Sequence, residues 1–471
     1  MKQKKVLLYN PESDFYTMPL GLLAIASSLD PERYAVRIID GRLQKDSSAA
    51  VLEECADAVC LGISVLTGKP IRDALRISRL VKEHYPNLPI VWGGWHPSLF
   101  PVETLAEPSI DVTVQAQGEH TFAELVRRFE TGDSIADIPG IAYRDQGHPR
   151  QNPPASLVDM NELPQHNYNL IPVERYYHLK NNQQLDYISS TGCFYRCSFC
   201  ADPFVFNRKW TGLDPVRIAQ ELEQLWERHR FSEVAFQDET FFTYRNRVIE
   251  MAEEFIRRQV RFTWTATMRA DQGARMSEKD WELCARSGMR WLLIGVESGS
   301  QAMLDWMKKD ITLEQVFIAA ERCARYNVHA VFPVIVGFPG ESDESVQESM
   351  NVAKKLRAMH PNFNTNFFYF KPYPGSSITA DAVKNGYRLP ESLEEWADFD
   401  FVGGSSGPWV SREKYRTIER FKFYQRAAWG NTRGIRKPIA WLARQRCSRD
   451  FYRFPIEKQL AEFLKPARNP A

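Results

Sequence analysis

The sequence predicts an α/β chain made of two successive strand–helix series and a basic helical C-terminal segment. Three observations predict it. Short apolar runs alternate with helical periodicity through the first 130 residues, and again from Leu185 onward. A stretch rich in Pro, Asn and Gln separates the two series. Charge is balanced over the chain, with 60 Lys and Arg against 59 Asp and Glu, but not along it. From Ser411 onward 16 basic residues face 5 acidic ones.

In chain order, KKVLLY (4–9) reads as a first strand, followed by a helix around 19–29 and the strand YAVRIID (34–40). AVCLGIS (58–64) and LPIVWGG (88–94) are buried strands flanking a helix from Ile71 to about Tyr85. Residues 1–130 therefore form an open, doubly wound parallel sheet. Its loops after Asp40, Ser64 and Gly93 lie at the carboxyl ends of strands, where such sheets bind ligands. Residues 131–184 read as a linker. The second series opens with YISSTG (187–192) as one strand and a helix over 214–229, with Ile218, Leu222, Leu225 and Trp226 on one face. SEVAFQ (232–237), the helix VIEMAEEFIRR (248–258), and the strands FTWTAT, RWLLIG, AVFPVIV and TNFFYF complete six units. Residues 185–377 thus make a partial barrel with its site at the carboxyl ends of the strands. Residues 378–471 are a C-terminal basic and aromatic module.

Composition excludes several classes. With 44% hydrophobic and 25% charged residues the chain is neither disordered nor collagen-like. No apolar run approaches the ~18 residues of a transmembrane helix. The N-terminal apolar run is only VLL, too short for a secretory signal, so a cytoplasmic protein is expected. Near-neutral overall charge argues against a nucleic-acid partner. Eight cysteines are too sparse for a disulfide framework.

Three of the cysteines are clustered. Cys193, Cys197 and Cys200, in TGCFYRCSFC, form C-x3-C-x2-C directly after a strand. Thiolates this close suit an iron–sulfur cluster or zinc. Three ligands leave one coordination position open, which points to chemistry. A structural site would need a fourth ligand from Cys55, Cys60, Cys284, Cys323 or Cys447, none of which has a pairing spacing.

This motif, at the start of a six-unit barrel, resembles the radical S-adenosylmethionine (SAM) superfamily. The resemblance spans about Leu185 to Ser377. It implies that the three cysteines hold a [4Fe–4S] cluster whose open iron chelates SAM, and that reductive cleavage gives a 5′-deoxyadenosyl radical able to take hydrogen from carbon. It further implies that Asp238 and Glu239, in FQDETFF, lie near the SAM amino group. Arg269 would meet the SAM carboxylate, and Glu297, in GVESGS, would reach its polar groups. Gly337 and Gly340, in VGFPGES, would approach the adenine, beside the aromatic Phe199.

The N-terminal domain extends the resemblance to cobalamin-binding radical SAM enzymes. Such domains carry D-x-H-x-x-G, then S-x-L, then G-G. Ser64-Val65-Leu66 and Gly93-Gly94 match the second and third elements, implying that Ser64, Leu66, Gly93 and Gly94 hold the cobalamin nucleotide tail. The first element departs: Asp40 is present, but Arg42 stands where the pattern has His and Lys45 where it has Gly. A histidine lower ligand from this loop is therefore not expected. His96, in GGWHPS, shapes the site or a domain interface. Gly118 and Glu119 resemble a glycine–glutamate element of the class. Trp95, Tyr16 and Phe15 are candidates for lining the upper face of the cobalamin.

The fold class implied is α/β, with an N-terminal Rossmann-like cobalamin-binding domain, a radical SAM (βα)6 partial TIM barrel and a helical basic C-terminal module. The activity implied is methylation of an unactivated carbon of a small-molecule metabolite. The cofactors are a [4Fe–4S] cluster, SAM and cobalamin, with an external electron donor of the flavodoxin or ferredoxin type. The alternatives are cobalamin-dependent cyclisation or rearrangement of the tetrapyrrole-cyclase kind, a barrel with a vestigial B12 domain, and a non-catalytic iron–sulfur protein. Basic and aromatic residues in the tail suggest peripheral membrane contact.

Overall fold

The structure, a computed structural model, describes residues 3–399, 404–430 and 437–463. Its first sheet has seven strands: β1 (Lys4–Asn10), β2 (Tyr34–Asp40), β3 (Ala58–Ser64), β4 (Ile90–Gly93), β5 (Val112–Val114), β6 (Ile141–Asp145) and β7 (His148–Gln151). Their order is β2-β1-β3-β4-β5-β6-β7. The first five run parallel and the last two join antiparallel. Alternate residues of β1 explain the two-layer packing. Leu7 and Tyr9 join one core beneath the helix Pro70–His84, while Val6 and Leu8 join another beneath the helices Leu20–Ser27 and Glu119–Thr131. The chain reverses direction across the sheet between β1 and β3, so a ligand crevice is expected outside their carboxyl ends.

The segment expected to be a plain linker, 131–184, differs from that reading. It supplies β6 and β7 to the sheet and a helix, Val173–Lys180. The physical reason is that Ile141, Ala142 and Tyr143 are buried and finish the edge next to β5.

The second unit begins with β8 (Gln184–Tyr187), β9 (Ser190–Gly192) and β10 (Trp210–Gly212), followed by β11 (Glu233–Phe236), β12 (Thr263–Arg269), β13 (Met289–Gly295), β14 (His329–Val336) and β15 (Phe363–Tyr369). Six of these form an all-parallel open sheet in the order β15-β14-β13-β12-β11-β8. YISSTG is not one strand: Tyr187 ends β8, and Ser190–Gly192 turns away to pair antiparallel with β10. Outer helices cover the barrel by their apolar faces. The helix Pro215–His229, started by the Asp214 cap on the Val216 N–H at 2.8 Å, buries Ile218, Ala219, Leu222 and Leu225. Trp264 and Trp281 fill the core.

Asp186 ties the two units. Its carboxylate accepts from the Met18 N–H at 2.8 Å and Gln237 Nε2 at 2.9 Å, and pairs with Lys180. Tyr176 donates to Asp40. The C-terminal region is not one module. The helix Leu393–Ala397 packs on the first unit, where the Trp396 ring centre lies 4.8 Å from that of Phe100 with the rings tilted at 42°, and Arg79 pairs with Glu394. The helix Arg412–Trp429 packs on β14 and β15 through Ile418, Phe421 and Tyr424, and the helix Lys437–Ser448 packs with the same core through Ala443 and Cys447.

Candidate active site

The carboxyl ends of both sheets face one another across a continuous set of cavities. One, of about 190 Å³, enters the first unit between β3, β4 and the helices Leu20–Ser27 and Glu119–Thr131. Its wall includes Gly21, Gly62, Ser64, Gly93, Gly94 and Gly118. The glycines leave room that side chains would take. A Cβ on Gly94, at φ +93°, would lie 3.0 Å from Val65 N and O and 3.1 Å from Ser64 Oγ. A cleft of about 480 Å³ continues from it, sharing Ser64 and Gly94 and adding Leu66, Phe15, Trp95, Arg42 and Glu239. A third cavity, about 540 Å³, shares Phe15 and Trp95 and reaches Phe199, Cys200, Glu297 and Tyr373. Phe15 and Trp95 thus stand on the wall between the first unit and the barrel. Tyr16 is 44% exposed and lines none of these three spaces.

Arg42 occupies the position where the pattern has histidine. Its guanidinium is locked by Asp40, with Nε at 2.9 Å from Oδ1 and an amino nitrogen at 2.6 Å from Oδ2, and it donates to the Phe15 carbonyl at 2.6 Å. A guanidinium has no acceptor, so it offers no metal ligand. His96 is fully buried, with Nδ1 3.2 Å from Thr67 Oγ1 and the ring against Phe100 and Trp396. Burial holds its pKa down at about 3 and the imidazole neutral.

The cysteine loop follows β9. Cys193, Cys197 and Cys200 are partly buried, and burial pushes the Cys193 thiol up to about 11 and the Cys200 thiol well above its ordinary value. Among the described residues no three His, Cys, Asp or Glu converge on one metal ion. A four-iron cluster does not ask them to, because each thiolate binds its own iron. A positive group stands against the sulfurs: an Arg269 amino nitrogen lies 3.5 Å from Cys197 Sγ. Donor set and counter-charge therefore fit a cluster. The other five cysteines are packed in hydrophobic cores, and burial raises Cys55, Cys60 and Cys284 to about 12 and Cys447 to about 11.

The two carboxylates after β11 part company. Asp238 is buried and committed to the strand break. It accepts from the Ser189 N–H at 2.8 Å, from Ser189 Oγ at 2.7 Å, and from Ser190 Oγ. Arg247 secures the same turn, donating to the Ser189 carbonyl at 2.6 Å. The carboxylate expected near the SAM amino group is thus bonded within the protein and lines none of the three cavities. Glu239 instead lines the cleft, held by the Gly192 N–H at 3.2 Å. Burial, then the neighbouring Asp202 charge, pushes its carboxyl up to about 8.

Arg269 is 6% exposed, and its three guanidinium nitrogens meet Asp271, Cys197 Sγ and the Lys309 carbonyl. Glu297, after β13, sits in the left-handed region at φ +64°, a strained conformation of the kind found at functional sites. Its Oε1 accepts from Lys309 Nζ at 2.7 Å. A Cβ at Gly295 would lie 2.8 Å from that Nζ, so glycine makes room for the ion pair. Lys309 also stands 5.9 Å from the Phe199 ring centre. Lys309 was not legible as functional; its only sequence signal is the basic pair Lys308-Lys309 just beyond the GVESGS loop. Gly337 and Gly340, both at positive φ, form a turn stapled by Glu341, whose Oε2 accepts from the Phe338 N–H at 3.3 Å and from the Gly337 N–H. Trp409 donates to the Gly337 carbonyl at 2.5 Å, so the C-terminal region braces this loop.

Comparison with known proteins agrees with this geometry. Residues 187–353 match the family model of the radical SAM superfamily, and residues 6–126 match that of the B12 binding domain. An uncharacterised methyltransferase of Pyrococcus horikoshii is 30% identical over 416 residues, covering 85% of this chain and 88% of that one. A radical S-adenosylmethionine methyltransferase from Kitasatospora setae, solved with cobalamin and a [4Fe–4S] cluster, superposes with a TM-score of 0.73 at 16% identity, over 95% of this chain and 100% of that one. A cobalamin-dependent S-adenosylmethionine radical enzyme superposes with a TM-score of 0.66 at 21% identity, over 82% of this chain and 55% of that one. This chain thus spans about half that protein's length. At such identities the two structures speak for the fold.

Proposed function

The chain belongs to the radical SAM superfamily and carries a B12 binding domain, and from that premise we propose that it is a cobalamin-dependent methyltransferase acting on an unactivated carbon of a small molecule with an apolar body. One observation carries the reading: the glycine-lined cavity of the first unit opens, through Phe15 and Trp95, into the space beside Cys200 and Glu297. Bound together, the cofactors supply one-electron cleavage of SAM, hydrogen abstraction from carbon and a transferable methyl group.

In this reading each part of the chain has a defined task. Ser64, Leu66, Gly93 and Gly94 receive the cobalamin tail, because only glycine leaves the backbone that accessible. Cys193, Cys197 and Cys200 hold the cluster. Glu297, braced by Lys309, offers a carboxylate to the polar end of SAM and Glu239 a carboxyl group that the SAM ammonium would help to ionise, while Phe199, Gly337 and Gly340 border its adenine. Asp238 holds the strand break that aims the cysteine loop. Aromatic walls from Trp95, Phe370 and Tyr373 keep water from the reacting carbon and favour an apolar substrate. Radical SAM enzymes draw their electron from an external reductant, here of the flavodoxin or ferredoxin type.

The domain limits follow the same reading: cobalamin binding to about residue 130, extended by the β6–β7 edge, and the barrel over 185–377. No helix of the described residues is long and apolar enough to cross a membrane. The proposed peripheral membrane contact would use Trp441 and Phe454, 63% and 74% exposed, with the basic residues of the same segment such as Arg449 and Arg453. Flotation with phosphatidylserine vesicles tests it: protein that stays at the bottom of the gradient ends the membrane idea.

The methyltransferase reading is tested on the anaerobically reconstituted full chain with SAM and titanium(III) citrate. Both S-adenosylhomocysteine and 5′-deoxyadenosine are expected, the former only when cobalamin is present. 5′-Deoxyadenosine alone would overturn methylation in favour of the cyclase-type alternative.

A further inference from the structure

We propose that Arg269 acts on the iron–sulfur cluster through Cys197, holding its reduction potential up, and is not a SAM-carboxylate ligand. The inference rests on the reading that the three cysteines hold a cluster. Its basis is the way the guanidinium is fixed. One amino nitrogen points at Cys197 Sγ, 3.5 Å away. The other donates to the Lys309 carbonyl, and to that of Asp310 at 3.4 Å. Nε donates to Asp271 Oδ1 at 2.9 Å. The face of the group lies 3.7 Å from the Tyr195 ring centre. Gln272 fixes both partners: its Oε1 accepts from the Arg269 N–H at 2.9 Å, and its Nε2 donates to the Tyr195 hydroxyl at 3.1 Å. To reach a SAM carboxylate, Arg269 would have to abandon several of these buried bonds.

The charge balance points the same way. Asp271 is shared, because Arg275 also donates to it at 2.8 Å. One carboxylate shared by two guanidiniums leaves a cation beside Cys197, while the Asp202 carboxylate lies toward Cys193 and Cys200. Lys309, the other cation nearby, is neutralised by Glu297. The turn carrying Lys309 is itself clamped to the cysteine loop, by the Ser198 N–H on the Met307 carbonyl at 2.9 Å and by the paired Arg196–Asp310 bonds at 2.8 and 2.9 Å. An oxidised four-iron cluster with three thiolates carries one net negative charge, and one-electron reduction adds a second. A cation and an N–H donor at a ligand sulfur therefore stabilise the reduced form more than the oxidised one, which raises the potential. No bond forms or breaks in this step; the cluster takes one electron from dithionite in the test below.

The test uses the full chain, reconstituted with iron and sulfide, as wild type, Arg269→Gln and Arg269→Lys. Mediated dithionite titrations without SAM are followed by the electron paramagnetic resonance of the reduced cluster, and SAM affinity is measured separately on the oxidised proteins. The expected result for Arg269→Gln is full iron content, a midpoint moved to more negative potential, and a SAM Kd within about threefold of wild type. Arg269→Lys, which keeps the charge but loses the planar fork, should fall between. It also carries the measurement if the glutamine variant does not hold iron. An unmoved midpoint with SAM binding weakened about tenfold or more would overturn the proposal and put Arg269 on SAM. Wild-type protein that takes up no iron would instead sink the cluster reading itself, and this inference with it.

Discussion

Replacing Lys309 by methionine tests how the site is built. Lys309 and Glu297 are 6% and 8% exposed and joined at 2.7 Å, with Gly295 making room and the Glu297 backbone already strained. Methionine keeps the length and apolar bulk of the stem but leaves Glu297 a buried carboxylate without its cation. Breaking one side of a buried pair costs about 3–5 kcal/mol, because the remaining charge is uncompensated. For a barrel of this size that is a drop in melting temperature of roughly 6–20 °C. The assay is thermal and urea unfolding followed by fluorescence of the buried Trp264 and Trp281, with SAM affinity measured in parallel. Adding Glu297→Gln to Lys309→Met should recover most of the stability, since a neutral amide replaces the stranded charge, while SAM binding stays impaired. A single variant as stable as wild type, or a double variant no better than the single, would refute this reasoning.

Three further outcomes follow from the first unit and its neighbours. Gly94→Ala places a Cβ at 3.0 Å from Val65 N and O in a left-handed conformation, so cobalt content after reconstitution should fall while iron content holds; unchanged cobalt would contradict the cradle. His96 titrates near 3 in the fold against an ordinary value of about 6.5, so the unfolded chain binds more protons below pH 6.5. Its contribution to stability is therefore level above about pH 6.5 and falls by about 1.4 kcal/mol per pH unit below it, down to about pH 3; urea midpoints of wild type and His96→Phe at pH 7 and 5.5 should show the slope flattened in the variant, and equal slopes would count against it. With Arg42 locked to Asp40 in place of a histidine, cobalt(II) in the bound cofactor should show no nitrogen splitting from that loop, so ¹⁵N-histidine labelling should leave its resonance spectrum unchanged.

The sequence was most legible where one pattern answers to one physical cause. AVCLGIS became a strand with the expected bounds, because a continuous apolar run suits a central strand, and YAVRIID formed the edge strand at its expected bounds with Arg37 exposed. C-x3-C-x2-C marks the proposed cluster loop because close thiolates have few other uses. Legibility failed where long-range contacts decide. YISSTG carries the Tyr, Ile and Thr that favour strands and read as one strand, yet Asp238, nearly fifty residues away in sequence, bonds Ser189 and Ser190 where the ladder breaks. The Pro- and Asn-rich linker gave no sign that Ile141–Asp145 would complete the sheet edge. Asp238 and Glu239 are adjacent and chemically alike, so only the fold separates the staple from the cleft residue. Arg269 stands out in the sequence as a charge after a strand, but where its guanidinium points depends on Tyr195, Asp271 and the Lys309 carbonyl, which no local motif links. Lys309 has no motif of its own and becomes visible only through Glu297.

The central claim is that one chain holds a cluster and cobalamin in facing sites, and metal analysis tests it most directly. The full chain would be reconstituted anaerobically with iron, sulfide and hydroxocobalamin, desalted, and measured for iron, cobalt and visible absorbance. The expected result is about four irons and equimolar cobalt, with Cys197→Ala losing iron but keeping cobalt and Gly94→Val doing the reverse. Iron without cobalt in the wild-type protein would contradict the account and leave a barrel that works by hydrogen abstraction alone.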